Sequence, residues 1–297
     1  MSTIVVTGAA GLVGRNLVRE LQAAGHRVVA IARSPQPASW PEGSTWVRAD
    51  LSESASYRDA LIGADAVVHV AATTGKARPE AYERNNVTAT RALLDASAAA
   101  GVGRFLFISS IAAAFADRRY YPYADSKVAA EEAVRASKLT TLIIRPTMIL
   151  GEGSPVQASL ARLGRLPLIP MFGSGKALVQ PIDVADLVRL LVGLLEEPAP
   201  ASGTVLEAGG PETYSIAELV RRLRRAGGVE GKARFLHLPL GLLRACLALV
   251  EGLLFPVLPF TAGQLASFAN DSKATPHPLV QRLLAQTRTD ARPEPQR

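Results

Sequence analysis

A glycine-rich segment that directly follows a short apolar run constrains the fold of this chain more than any other feature. The apolar run is Thr3–Thr7, and the segment GAAGLVG at residues 8–14 opens a stretch with helical periodicity. Glycines at this point let the backbone turn tightly and approach a pyrophosphate, whose charge then lies at the amino end of a helix. The spacing GxxGxxG also fits an ordinary strand-to-helix turn, but its place between a strand and a helix favours a dinucleotide site. The predicted contacts are Gly8, Ala10, Gly11, Leu12, Val13 and Gly14.

Short runs rich in Val and Ile alternate with helical patterns through the first half of the chain. Such runs, apolar on both faces, are typical of parallel strands that helices cover on both sides. The alternation predicts an α/β fold with a doubly wound parallel sheet of the Rossmann type. The predicted strands are Thr3–Thr7, Arg27–Ala32, Thr45–Arg48, Ala66–Val70, Arg104–Ser109 and Thr140–Arg145, and the predicted helices are Leu12–Ala24, Ser54–Leu61, Arg78–Ala100 and Pro122–Lys138.

The regular alternation ends near Gly151, where glycine and proline become frequent. We therefore expect a dinucleotide-binding domain over 1–150, a smaller C-terminal substrate lobe over 151–286 that is partly interleaved with the sheet, and a flexible tail over 287–297. The lobe is predicted to contain a helix at Val184–Glu196, a strand at Thr204–Glu207 and, behind a capping box formed by Ser215 and Glu218, a helix at Ser215–Ala226.

Cysteine and histidine are scarce in this sequence of 297 residues. The single cysteine, Cys246, excludes a disulfide framework and a CxxC metal or redox site. No group of His, Cys, Asp and Glu residues has metal-ligand spacing, and we predict no metal. His69 lies inside an apolar strand and is interpreted as a core histidine rather than a base. The amino terminus shows no export signal, so we expect a cytoplasmic protein.

The formal net charge is +7, with 33 Lys and Arg residues against 26 Asp and Glu residues. The arginines are scattered, and no aromatic residues interleave with the densest cluster, RRLRR at 221–225. A solvated helix face explains this cluster as well as a polyanion surface does. We expect a small-molecule partner and no nucleic acid.

The apolar segment at residues 236–260 is the membrane candidate in the sequence. It contains Arg244, Glu251 and several prolines, whereas a spanning helix needs about 20 predominantly apolar residues. We predict a buried or amphipathic helix over Leu240–Leu254 that is closed by prolines. Contact of its apolar face with a membrane or a partner is the less favoured alternative.

Arg33 ends the second predicted strand, where a dinucleotide site reads the ribose of its cofactor. An acidic residue there bonds the 2′-hydroxyl of NAD, whereas an arginine accommodates the 2′-phosphate of NADP. The next acid is Glu42, so Arg33 favours NADP. NAD is the alternative cofactor, and a solvated arginine is the alternative role for Arg33. Asp50 and Leu51, after the third strand, are candidates for the adenine contact, with helix capping as the alternative for Asp50.

Tyr123 and Lys127 lie four residues apart at the start of a predicted helix and therefore share one of its faces. A nearby ammonium lowers the pKa of a phenol from about 10 and makes it a usable acid or base at neutral pH. Ser110 ends a predicted strand at the carboxyl edge of the sheet, where ligands of such folds bind. Ser109 is the adjacent alternative. A glycine loop, a strand-end serine and a YxxxK motif together predict proton transfer at a bound substrate.

Seven motifs in order along about two thirds of the chain give the sequence a clear resemblance to a known family. It resembles the extended short-chain dehydrogenase/reductases, the branch of NAD-dependent epimerases and dehydratases. The motifs are TGAAGLVG at 7–14, HVAA at 69–72, Asn86-Val87, FISS at 107–110, YADSK at 123–127, RPTMILG at 145–151 and PIDVADL at 181–187.

The resemblance implies a role for each matching residue. Tyr123 is implied to be the general acid/base, Lys127 to bond the nicotinamide ribose and lower the pKa of Tyr123, and Ser110 to hold the substrate oxygen. Asn86 is implied to order a supporting water or a backbone link. Further implied cofactor contacts are Val70, Ala71, Ala72 and Pro146, and candidate substrate contacts at strand ends are Thr73, Thr74 and Met148.

Some positions depart from the nucleotide-sugar members of that family. Only 12 residues separate Ser110 from Tyr123, AAF stands at 113–115 where VYG is common, and ALVQPID at 177–183 lacks an arginine for a nucleotide phosphate. These departures weigh against a nucleotide-sugar substrate. Because net reduction draws on NADPH and Arg33 favours NADP, we favour NADPH-linked reduction of a carbonyl, or oxidation of the matching alcohol. The alternatives are a nucleotide-sugar epimerase or dehydratase with retained NAD, and a non-catalytic NADPH-binding accessory or sensor protein. A homodimer is the assembly that we consider.

Overall fold

The first half of the chain alternates strands with helices, as the sequence predicts. The computed structural model describes residues 1–289. Its strands β1 (Thr3–Thr7), β2 (Arg27–Ala32), β3 (Thr45–Arg48), β4 (Ala66–His69), β5 (Arg104–Ile108) and β6 (Thr140–Pro146) alternate with helices α1 (Leu12–Ala23), α2 (Pro79–Tyr82), α3 (Ala89–Ala99) and α4 (Pro122–Ala136).

The second half adds shorter strands and longer connecting segments. The strands are β7 (Ile149–Leu150), β8 (Ile169–Phe172), β9 (Leu178–Val179), β10 (Ile182–Asp183), β11 (Thr204–Ala208), β12 (Tyr214–Ser215) and β13 (Phe235–Leu238). The helices are α5 (Pro155–Gly164), α6 (Val184–Glu196), α7 (Ile216–Ala226), α8 (Leu240–Leu254) and α9 (Pro278–Thr289). Ser215 and Glu218 form the predicted capping box of α7. In the described part of the chain, every helix is too short or too polar to cross a membrane.

Seven strands form one fully parallel sheet in the order β11-β6-β5-β4-β1-β2-β3. The chain builds outward from β1 in both directions, since β1 pairs with β2 on one side and with β4 on the other. This confirms the doubly wound sheet of the Rossmann type. Ligands of such sheets bind at the carboxyl ends of the strands beside the point where the order reverses. The edge strand β11 comes from the second half of the chain.

Two hydrophobic layers cover the two faces of the sheet. Successive residues of a strand point to opposite faces, so Val5 packs into one layer and Val6 into the other. The layer around Val5 includes residues of α3 and α4. The layer around Val6 includes residues of α1, α6 and α9, among them Leu284. The tail expected over 287–297 starts within α9, and residues 290–297 lie outside the described residues.

Two of the predicted helices have a different local structure. The region 54–61 forms two short 3₁₀ turns, Ser54–Ser56 and Arg58–Leu61. The hydroxyl of Ser56 donates to the backbone carbonyls of Asp50 and Glu53 and so competes with helical hydrogen bonds. The predicted helix at 78–100 is interrupted by a π-helical turn, Glu83–Thr88.

Candidate functional site

The glycine-rich loop between β1 and α1 leaves room only for backbone. Gly8 has a φ of +69°, and a Cβ there would lie 2.7 Å from the backbone of Ala71. A Cβ at Gly14 would lie 2.2 Å from the carbonyl oxygen of Gly8, so α1 packs directly on the loop. Gly11 begins α1 without a side-chain cap, and the first turn contains no acidic residue. This end of α1 is therefore suited to an anion. Of the other predicted contacts, Ala10 is exposed, Leu12 is half-buried and Val13 is buried.

Arginines surround Asp50 at the carboxyl ends of β2 and β3. Arg33 is exposed, and its carbonyl oxygen accepts a hydrogen bond from Arg48 Nε at 3.2 Å. The pKa of Asp50 is lowered, first by hydrogen bonds from Ser52 and further by the charges of Arg33 and Arg84. Asp50 Oδ1 accepts from both the N–H and the hydroxyl of Ser52, so it closes a local turn. The positive charge at this edge suits a phosphate group.

Four other predicted cofactor contacts lie at strand ends. Val70, Ala71 and Ala72 follow β4 and are half-buried. Pro146 is buried at the end of β6, opposite Ala208 of β11. Leu51, by contrast, has its side chain in the hydrophobic layer around Val5.

His69 belongs to a buried polar chain that joins three elements. Its Nδ1 lies 2.7 Å from Thr7 Oγ1 and its Nε2 lies 2.9 Å from Thr90 Oγ1. Thr90 donates to the carbonyl oxygen of Asn86, while Thr7 accepts from the N–H of Ala71. A ring that donates through Nε2 and accepts at Nδ1 satisfies every group. Burial lowers the pKa of His69 to about 3, with the charge of Lys127 adding to the effect, so the ring is neutral. This geometry is that of a satisfied core histidine.

Ser110, Tyr123 and Lys127 meet at the carboxyl ends of β5 and β6. The side chains of Tyr123 and Ser110 are neighbours. Burial raises the pKa of Tyr123, and the interaction with Ser110 opposes the rise. Lys127 is 2% exposed, and its Nζ donates to the carbonyl oxygen of Ile108 at 2.8 Å. Burial lowers the pKa of Lys127 to about 7, while the negative charge of Glu131 opposes the change.

Glu131 anchors a buried ion cluster under this site, which the sequence reasoning missed. Its carboxylate accepts two hydrogen bonds from Arg145, at 2.8 and 2.7 Å, and one from Arg135 at 2.8 Å. Ser109 also donates to it at 2.6 Å, which leaves Ser110 as the serine beside Tyr123. Burial alone would raise the pKa of Glu131, but the hydrogen bonds from Arg145 and Ser109 lower it. The available signal was the four-residue step from Lys127, which puts Glu131 on the same helix face.

Asn86, in the π-helical turn, holds the loop after β4 against α4. Its side chain accepts from the N–H of Thr73 at 2.7 Å and donates to the carbonyl oxygen of the same residue at 3.0 Å. It also donates to Ser126, whose hydroxyl donates to the carbonyl oxygen of Tyr123. Asn86 therefore makes the backbone link that was one of its two implied roles. Its amide positions both the loop after β4 and the start of the helix that carries Tyr123.

Tyrosine rings pack around Tyr123. The ring centroid of Tyr82 lies 5.9 Å from that of Tyr123, and the centroid of Tyr121 lies 5.6 Å from it. Of the predicted substrate contacts, Thr74 is exposed on the loop after β4. Met148 packs against a separate hydrophobic cluster that contains Ile169 and Met171. Two tyrosine rings thus form an aromatic wall beside Tyr123.

The segment at 177–183 contains no arginine, and Gln180 supplies an amide there. Gln180 Nε2 donates to the carbonyl oxygen of Gly210 at 2.6 Å, and its Oε1 accepts from the N–H of Ala274 at 2.9 Å. Its side chain therefore links the segments that contain Gln180, Gly210 and Ala274. Within the described residues, no group of three or more His, Cys, Asp and Glu side chains could hold a metal ion.

A family model and several curated proteins match the chain. The model of the NAD dependent epimerase/dehydratase family matches residues 4–209. A 2-alkyl-3-oxoalkanoate reductase of Stenotrophomonas maltophilia is 33% identical over 250 residues, which cover 76% of each chain. A ceramide reductase of Caulobacter vibrioides is 33% identical over 240 residues, 80% of this chain and 73% of that one. An uncharacterized protein of Mycobacterium tuberculosis is 32% identical over 212 residues, which is 71% of this chain but only 22% of that longer protein.

Solved structures share the fold over most of the chain. MoeE5 in complex with UDP-glucuronic acid and NAD is 29% identical, with a TM-score of 0.68 over 91% of this chain and 97% of that one. A dTDP-glucose 4,6-dehydratase of Streptomyces venezuelae, at 22% identity, has the same TM-score over 79% of this chain and 84% of that one, which is a likeness of fold alone.

Proposed function

The chain belongs to the NAD dependent epimerase/dehydratase family, and from that premise we propose that it is an NADPH-linked reductase of a ketone, working reversibly on the matching alcohol. The arrangement of Ser110, Tyr123 and Lys127 at the sheet edge supports this proposal more than any other observation. Two relatives with 33% identity carry names of reductases. The family itself includes reductases, epimerases and dehydratases.

The residues present fit a dinucleotide. The space at Gly8 and Gly14 admits backbone but no side chain, and the amino end of α1 is suited to a pyrophosphate. Arg33 is exposed at the end of β2, in the place where a 2′-phosphate would be read. Arg48 and Arg84 add positive charge close by. This supports NADPH as the preferred cofactor.

The chain's own groups perform the proton transfer and bind the substrate oxygen. NADPH, when bound, supplies a hydride to the carbonyl carbon. Ser110 orients the carbonyl oxygen, and the hydroxyl of Tyr123 donates its proton to that oxygen, so the product is an alcohol. The ammonium of Lys127, on the same helix face, stabilises the resulting tyrosinate. Glu131 helps to keep Lys127 charged, because its carboxylate opposes the lowering of the Lys127 pKa by burial.

The substrate proposed is a ketone without a nucleotide. Gln180 uses its amide to bridge segments of the lobe, in the stretch where an arginine would grip a nucleotide phosphate. The relatives named for a 3-oxoalkanoate and for ceramide suggest an acyl-chain ketone as the first class to screen. We keep retained NAD and a nucleotide sugar as the competing outcome, which the NAD-bound structures favour.

Nucleotide titration tests the cofactor part of the proposal. The purified protein is checked for bound nucleotide and titrated with NADPH and NADH by nicotinamide fluorescence. We expect tighter binding of NADPH and a shift of preference toward NADH in Arg33→Asp. Arg27→Asp, the same charge change at the opposite end of β2, is the matched control. An unchanged affinity ratio in Arg33→Asp would refute the 2′-phosphate role, and tightly retained NAD would favour the epimerase or dehydratase alternative.

Turnover of a ketone panel tests the chemistry. Tyr123→Phe should keep NADPH affinity and lose kcat by about 100-fold or more, since it removes the proton donor. Full turnover in that variant would rule out the assigned role of Tyr123.

A further inference from the structure

Helix α8, Leu240–Leu254, has its polarity reversed relative to an ordinary surface helix. A surface helix normally turns its charged residues to water and its apolar stripe to the core. In α8 the charged residues face the protein: Arg244 is 5% exposed, and Glu251 accepts a hydrogen bond from the N–H of Ala262. The outward face is apolar, and its most exposed side chains, with the following loop included, are Leu242 (65%), Leu249 (85%), Leu253 (86%) and Val257 (76%).

Arg244 fixes this orientation. Its guanidinium donates to Asp117 at 2.7 Å and to the carbonyl oxygen of Arg119 at 2.6 Å. Asn270 binds the same loop, because its side chain accepts from the N–H of Asp117 and donates to its carbonyl oxygen. If the apolar face turned inward, Arg244 would lose its hydrogen bonds to Asp117 and Arg119. The exposed leucines are thus a consequence of this specific anchoring.

Positive charge flanks the apolar face. Lys76 and Arg78 both lie over the ring of Phe255, at 4.8 Å from its centroid. The ammonium of Lys76 is half-buried and also donates to the carbonyl oxygens of Pro256 and Leu258, whereas Arg78 is exposed. Arg119, whose side chain is 79% exposed, lies at the loop that Arg244 holds. Asp117 carries one negative charge between Arg119 and Arg244, so these three side chains together keep one positive charge. Cations at the edge of an apolar helix face complement a surface that is negatively charged outside and apolar beneath.

We propose that the outward face of α8 docks on a bilayer that contains anionic phospholipids. The helix lies in the interface, with Leu242, Leu249 and Leu253 among the acyl chains and Lys76 and Arg78 at the headgroups. Its 15 residues, about 22 Å of helix, are too few to span the hydrocarbon core. This docking does not depend on the reaction catalysed, and it brings the loop after β4, which leads to the candidate site, close to the membrane surface.

Vesicle binding tests the proposal on the full chain. Flotation is measured with vesicles of phosphatidylcholine alone and of phosphatidylcholine mixed with phosphatidylglycerol, at low and high salt. We expect binding to the anionic vesicles that salt weakens, and a loss of about tenfold or more in the partition coefficient of Leu249→Glu/Leu253→Glu. Ile62→Glu, at an apolar side chain that is 71% exposed elsewhere on the molecule, should bind as the unchanged protein does.

Other outcomes overturn the proposal. Absence of binding to anionic vesicles, or equal binding by Leu249→Glu/Leu253→Glu, would show that the face is not a membrane surface. Light scattering without vesicles gives the oligomeric state of the unchanged protein and of the double variant. A dimer of the unchanged protein that the double substitution converts to a monomer would assign the face to a second copy of the chain. Because these positions lie outside the nucleotide site, NADPH affinity should be unchanged, which separates failure of this proposal from failure of the proposed reaction.

Discussion

The buried amine of Lys127 should make the protein more stable as the pH rises above neutral. Burial lowers its pKa to about 7 from an ordinary value of 10.5. Between these values the unfolded chain keeps the proton that the folded chain has lost. The free energy of unfolding should therefore rise by about 1.4 kcal/mol per pH unit, or about 3 kcal/mol from pH 7 to 9.5. Tyr57, whose pKa burial raises to about 12, acts in the opposite direction only above about pH 10.

Urea unfolding of the protein without nucleotide, across pH 7 to 9.5, measures this slope. Lys127→Met keeps an unbranched side chain of similar length but removes the titrating group. As the pH increases, the free energy of unfolding of the unchanged protein should rise relative to that of Lys127→Met, because only the unchanged protein carries the titrating amine. Two curves that run parallel over the whole range would refute the reasoning, since the amine would then titrate alike in the folded and unfolded chains.

Two further substitutions test the buried cluster and the glycine loop. Glu131→Gln should lower the free energy of unfolding in urea by about 3–5 kcal/mol, because Arg145 loses its buried partner. Glu132→Gln, at the exposed neighbouring position, should change it by less than about 0.5 kcal/mol. Equal effects of the two substitutions would contradict the importance of the cluster. Gly14→Ala should abolish measurable NADPH binding by fluorescence titration, since its Cβ would lie 2.2 Å from the carbonyl oxygen of Gly8. Gly252→Ala, where the structure leaves open space, should bind NADPH normally, and normal binding by Gly14→Ala would disprove the close packing.

The fold was predictable because its strands are short, apolar and regularly spaced. All six predicted strands begin and end within one residue of the observed bounds. The glycine pattern also located the start of α1. What periodicity could not show was local competition for backbone hydrogen bonds. Ser56 breaks one predicted helix into 3₁₀ turns, and the π-helical turn around Asn86 interrupts another.

The candidate site was predictable only where a motif has fixed spacing. Tyr123 and Lys127 are linked by one helical turn, and Ser110 follows a strand, so a linear pattern identifies all three. The partners of Glu131 come from separate elements: Arg145 lies on β6 and Ser109 follows β5. Their meeting depends on how the sheet stacks against α4, which no spacing within the chain records. The same is true of the anchoring of Arg244 to Asp117, 127 residues apart.

The edge strand β11 determines when this protein can finish folding during its synthesis. Until residues 204–208 have left the ribosome, β6 has no neighbour on its outer side and offers an unpaired edge to other chains. The layer over α1 closes later still, because Leu283 and Leu284 of α9 complete it. The first half of the sheet, although encoded first, must therefore wait for residues up to Leu284. Truncations from the carboxyl end should consequently yield aggregating fragments rather than a smaller nucleotide-binding protein.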